Sequence, residues 1–132
     1  PEAPDRGQAL ANWMTNPANP FFARSVVNRY VAYLMGRGLV EPIDDMRATN
    51  PASNAELLDA LAVDLAKNCF NLKLLVRTIM NSRLYQLDAM PTPSNAADVR
   101  FYTHYRVKRL PAEPLLVAST RKTTASPSLT RT

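Results

Sequence analysis

A mostly α-helical fold of about four to five helices, with a long ordered loop over residues 37–53 and an irregular C-terminal segment, is what this sequence predicts. Three observations carry that reading. Capping residues stand immediately before apolar runs of helical period at Asp5, Asn19, Ser53 and Asn71. Glycine or proline follows several of those runs. The stretch 37–53, with Gly38, Pro42 and Pro51, has no sustained periodicity.

Asp5 caps a first helix running to about Asn16, with Ala9, Leu10, Trp13 and Met14 making one apolar face. Asn16-Pro17 ends it, because the residue before proline is pushed out of the α region. Asn19-Pro20 restarts a helix: the asparagine accepts free N–H groups, and proline in the first turn forfeits no hydrogen bond. That second helix turns Val27, Tyr30, Val31 and Leu34 to one side and stops at Met35-Gly36, where glycine takes the left-handed conformation.

Ser53 followed by Glu56 reads as a capping box opening a third helix with Leu57, Leu58, Leu61 and Leu65 on one side. Asn68 to Phe70 forms a short turn, and Asn71 caps a fourth helix over residues 72–85 with Leu72, Leu75, Val76, Ile79 and Met80 inward. A connection this short makes the last two a helical hairpin. Residues 88–98, holding Pro91 and Pro93, read as a linker; Pro111 starts a short last helix through Leu115 and Val117. Residues 1–118 thus read as one helical domain, a piece of a longer protein. Residues 119–132, with eight Ser or Thr among fourteen, read as a disordered tail.

The net charge of +5 is unevenly spread: residues 1–90 hold nine basic and nine acidic side chains, residues 91–132 seven and two. A balanced body with a basic end suits contact with an anionic polymer, or a solvated tail. Twelve arginines against four lysines favour planar ion pairs with carboxylates. The lone Cys69 excludes an intramolecular disulfide, and no Cys-x-x-Cys-His haem attachment site occurs. No apolar run is long enough to span a bilayer.

The candidate polar cluster is Arg24, Asn28, Arg29, Asp44, Asp45, Arg109 and Glu113. Asp44-Asp45 in the long loop suits acid/base chemistry, a cation, or pairing with Arg24, Arg29 or Arg47. Asparagine is a mediocre helix former, so Asn28 in mid-helix calls for a partner, most simply the backbone of the 37–53 loop or, with Arg29, a substrate. Arg109 and Glu113, four apart across Pro111, suit tying the last helix to the body. Lys73 and Arg77 share a face of the fourth helix, but Arg83 falls off it, so a DNA-reading stripe is incomplete. Arg100 to Arg109 interleaves aromatic and basic groups, suited to stacking on bases or sugars, or to Phe101, Tyr105 and Val107 packing on the helices with arginines at the rim. His104 is the only histidine.

Taken together, Leu10-Ala11-Asn12-Trp13, Asn19-Pro20-Phe21, Asn28-Arg29, Gly36-Arg37-Gly38-Leu39-Val40, Asp44-Asp45, Glu56-Leu57-Leu58, Arg77-Thr78-Ile79 and Arg109-Leu110 with Ala112-Glu113 resemble one family. It is the C-terminal domain of unknown function 1553 of large planctomycete-type, cytochrome-c-associated exported proteins. The resemblance covers about residues 6–118. Tyr30 stands where the family usually has tryptophan, and after Glu113 the family tends to continue as a longer helix. The resemblance implies a periplasmic or cell-surface bacterial protein, with no cofactor in this chain and haem, if any, on a separate segment.

The leading expectation is a noncatalytic scaffold or interaction domain whose partners are other domains of the same polypeptide. Alternatives are an enzyme domain acting on a polysaccharide or sulfated ligand, with Asp44, Asp45, Arg29 and Arg109 in one cleft, and nucleic-acid binding through helix 72–85 and the basic C-terminal segment. Exposure of Trp13, Phe21 or Phe22 would mark a face turned toward a neighbouring domain.

Overall fold

The computed structural model describes residues 5–16, 18–109 and 112–117. Four helices follow in chain order: α1 (Arg6–Met14), α2 (Pro20–Met35), α3 (Ala55–Lys67) and α4 (Leu72–Met80). Residues 112–117 form a further short helix, and no strand occurs among the described residues. Pro111 and the Ser/Thr-rich segment 119–132, assigned above to a helix start and a tail, lie outside them.

The core forms around α2, which packs chiefly on α3 and also on α4. Val27, Val31 and Met35 of α2 meet Leu58 and Leu65 of α3 and Leu75 and Ile79 of α4, with Leu39 and Val40 of the long loop closing the side. Each large aliphatic chain so buried contributes about 1.5–3 kcal/mol relative to exposure.

The helix ends follow local chemistry. The Asn19 side chain accepts from Phe21 N–H at 3.0 Å, and Gly36 ends α2 at φ 78°. The box expected at Ser53 is displaced by one residue. Asn54 is the cap of α3, accepting from Leu57 N–H at 2.9 Å, while Ser53 donates its own N–H to Leu39 C=O at 2.7 Å. An asparagine competing one position on wins because the long loop holds the Ser53 backbone.

The α3 stop has no glycine. Phe70 N–H reaches Leu65 C=O and Cys69 N–H reaches Ala66 C=O, with both residues at positive φ, 52° and 56° for Cys69 and Phe70. That conformation is unfavourable for residues with a Cβ. The Phe70 ring, 5.5 Å from Phe22, packs against the core and offsets the cost.

Several expected core positions face outward. Leu57, Leu72 and Met80 are more than a third exposed, because α3 and α4 bury narrower stripes than their apolar content allows: Leu58, Ala62 and Leu65, then Leu75 and Ile79. The fourth helix ends at Met80 rather than 85. Asn81 caps it, and the Ser82 hydroxyl donates to Ile79 C=O at 2.6 Å, so Arg83 lies beyond the helix.

Candidate functional site

Arg24 lies one turn of α2 before the adjacent Asn28 and Arg29, and the structure gives the three different destinations. Asn28 points inward and is fully buried. Its Nδ2 donates to Val40 C=O at 3.0 Å and Ile43 C=O at 2.9 Å, and its Oδ1 accepts from Val40 N–H at 2.9 Å. Both amide hydrogens and the carbonyl are therefore engaged with the loop backbone. Gly38 makes the approach possible: a Cβ there would lie 2.8 Å from Val40 O and within 3.0 Å of both Asn28 amide atoms.

Asn50 is a second amide clamp that sequence reasoning missed. Its Nδ2 donates to Glu41 C=O and Asp45 C=O, each at 3.0 Å, and so draws the two sides of the loop together. Its place in Asn50-Pro51, which reads as ordinary turn composition, conceals that role. The Glu41 carboxylate accepts from Gly38 N–H at 2.7 Å, adding to the backbone bond of Ser53 N–H to Leu39 C=O that closes the loop.

The two carboxylates diverge. Asp44 meets Arg29 at 2.5 Å, and both side chains are mostly exposed. Asp45 takes two bonds of 2.6 Å from Arg47, within the loop. Hydrogen bonding to that guanidinium holds the Asp45 carboxyl below its usual range and pushes the Arg47 guanidinium up. A carboxylate so held stays ionised at neutral pH and is a poor proton donor. Arg24 reaches neither aspartate; it pairs with Asp59 of α3 at 2.5 Å, because its place one turn earlier faces α3.

Arg109 and Glu113 are exposed, and no hydrogen bond or ion pair among the described residues ties them to each other or to Asp44 and Asp45. Among those residues no group of three acidic, histidine or cysteine side chains is placed to hold a metal. Lys73 and Arg77 lie on the exposed face of α4.

The aromatic and basic segment near residue 100 packs over the C-terminal end of α2. Tyr105 donates through its hydroxyl to Leu34 C=O at 3.3 Å, Tyr102 to Arg37 C=O at 3.0 Å, and Lys108 through Nζ to the carbonyls of Tyr33 and Leu34. A helix leaves its last carbonyls unpaired, and a cation there also meets the negative end of the helix dipole. Burial pushes the Tyr102 phenol up to about 12.

Tyr102 and Tyr105 are thus the packed residues, whereas Phe101 and Val107, expected on the helices with Tyr105, are exposed. The positive φ of Tyr102, 56°, turns the chain between them. Asp98 organises this turn: Oδ1 accepts from Arg100 and Phe101 N–H, each at 2.8 Å, and Oδ2 from Thr103 N–H at 3.1 Å and its hydroxyl at 2.7 Å. Those bonds, Thr103 first, hold its carboxyl far below the usual carboxylate range. An Asp ending a proline-containing linker was the available signal.

The apolar side chains of α1 complete the picture, since none of its residues is buried. Leu10 is 56%, Trp13 61% and neighbouring Phe21 63% exposed, while Phe22 is half-buried on Phe70. Asn19 Nδ2 donates to Trp13 C=O at 3.2 Å and tethers the end of α1 to the start of α2. Beside this face runs a groove of about 460 Å³ lined by Ala18, Pro20, Ala23, Ala62, Val63 and Ala66, among others.

No curated protein and no solved structure matches the chain. A family model does, over residues 6–127, which spans all four helices, the Asn28 loop and the segment that caps α2. With that span matched, the chain belongs to the PSD1 family, described as proteins of unknown function (DUF1553).

Proposed function

We propose that this chain is a noncatalytic scaffold and interaction domain of a large exported multidomain bacterial protein, docking through the α1 face onto another domain of the same polypeptide. The observation that carries the reading is the exposed row of Leu10, Trp13 and Phe21 beside the helical body. A nine-residue helix is too short to be stable alone in water, where about 12–15 residues are marginal. No residue of α1 is fully buried, and Leu10 and Trp13 are exposed, so a surface outside α2–α4 is the natural source of its packing.

The polar groups favour the same reading. Asn28 is consumed by the loop, and Asp44 and Asp45 are each held by an arginine, which is the arrangement of a braced scaffold rather than of a proton shuttle. Haem, in this proposal, belongs to a separate segment: Cys69 stands alone, with no second cysteine or adjacent histidine to attach it.

Trp13 is the only tryptophan, so its fluorescence reports this face alone. Adding the remainder of the reading frame, produced separately, should shift the emission to shorter wavelength and bring the two pieces together on a sizing column. Leu10→Asp should abolish both, and Trp13→Asp, which removes the fluorophore, should abolish the co-elution. Failure to associate, or association untouched by Trp13→Asp, overturns the proposal.

A further inference from the structure

A cavity of about 110 Å³ lies between the end of α2 and the segment that covers it, lined by Met35, Arg37, Asp98, Tyr102, His104 and Arg106, among others. At about 30 Å³ per water it has room for a few waters or for one oxyanion of sulfate size. His104 Nδ1 is buried with no hydrogen-bond partner, so a polar atom there lacks what buried polar atoms ordinarily have.

The charges around it are asymmetric in what they have left to offer. Arg37 donates from Nη1 to Val99 C=O and keeps its remaining donors, and no hydrogen bond or ion pair among the described residues holds the Arg106 side chain. Asp98, by contrast, already accepts four bonds from Arg100, Phe101 and Thr103. Glu41, a carboxylate near Tyr102, is occupied by Gly38 N–H. The Tyr33 and Leu34 carbonyls near the end of α2, which would repel an anion, are covered by Lys108 and Tyr105.

We propose that this cavity is a tetrahedral-oxyanion site, in which Arg106 and Arg37 supply charge-assisted hydrogen bonds and His104 Nδ1 donates from the buried side. Two guanidinium groups and an imidazole match a sulfate or phosphate group by charge and by donor count. The same chemistry is presented by a free ion and by a sulfate ester on a polymer. The inference stands apart from the α1 docking face, which lies on different residues.

The test is a titration of the whole chain followed by amide NMR, with sodium sulfate replacing sodium chloride at constant ionic strength, and a parallel arm with a sulfated oligosaccharide. Saturable shifts at His104 and between Val99 and Arg106 are expected. Arg106→Ala should weaken binding at least about tenfold, the scale of one lost charge-assisted bond, while Arg77→Ala on α4 leaves it unchanged. Tighter binding of the oligosaccharide identifies the polymer as the source, and equal or tighter binding of sulfate identifies the free ion. Shifts that never saturate in either arm, or an equal loss in Arg77→Ala, overturn the site.

Discussion

Helices α1 and α2 start alike and end in opposite circumstances. Both open on a capping side chain, Asp5 accepting from Gly7 N–H at 2.9 Å and Asn19 from Phe21 N–H at 3.0 Å, and both carry an apolar face. α2 buries Val27, Val31 and Met35 in the core, packs Tyr30 and Leu34 partly against it, and spends a polar residue, Asn28, on clamping the following loop. α1 leaves Leu10 and Trp13 in solvent. A cap and an apolar stripe are therefore enough to specify a helix, but not to say what covers it.

The largest expected effect lies on the α2 side. Asn28→Ala leaves Val40 N–H and the carbonyls of Val40 and Ile43 without their partner, at about 1–3 kcal/mol for each group left unsatisfied, so a loss of about 3 kcal/mol or more is expected in urea unfolding. An unchanged midpoint would mean the loop is held by something other than the amide.

Gly38→Ala comes next, at about 1–3 kcal/mol, the range for forcing extra volume into a packed site. Because the added Cβ meets Asn28 itself, the double variant should lose less than the sum of the two. Full additivity would separate the glycine from the clamp and weaken this side of the contrast.

Asp98 makes the same kind of side-chain to backbone clamp, but in the solvent-exposed covering segment. Its carboxyl is held below the unfolded value of about 3.9, so its contribution is fully present above about pH 4 and is lost as pH falls through the lower folded value. Protection of the Phe101 and Thr103 amides, measured against the intrinsic exchange rate at each pH, should therefore fall only in acid. Asp98→Asn should lower that protection at neutral pH and abolish the dependence; protection insensitive to both would remove Asp98 from its organising role.

The smallest effect is expected on α1: Trp13→Ala should change the stability of this chain by no more than about 0.5 kcal/mol, as for other exposed positions. A large loss in thermal unfolding would show that α1 packs on the body after all, and the contrast between the two helices would fall.

Much of the architecture was legible in the residues. The Asn19-Pro20 start and Gly36 stop of α2, and the Asn71 cap of α4, stand where the sequence placed them. The partner of Asn28 was expected to be the loop backbone, but which carbonyls it meets depends on a fold of the loop that Asn50 completes from another stretch of chain. Arg24 could not be assigned to Asp59 because they are far apart in sequence, and long-range pairing is decided by the way α2 crosses α3.

Capping, periodicity and turn chemistry act over a few residues, so the order and type of the helices were settled by the sequence itself. Which apolar stripe is covered, which aspartate meets which arginine, and which aromatic rings near residue 102 turn inward depend on distances between elements. Only tertiary packing supplies those distances. Hence Trp13 and Tyr105, both aromatic, end respectively in water and against Leu34 at the close of α2.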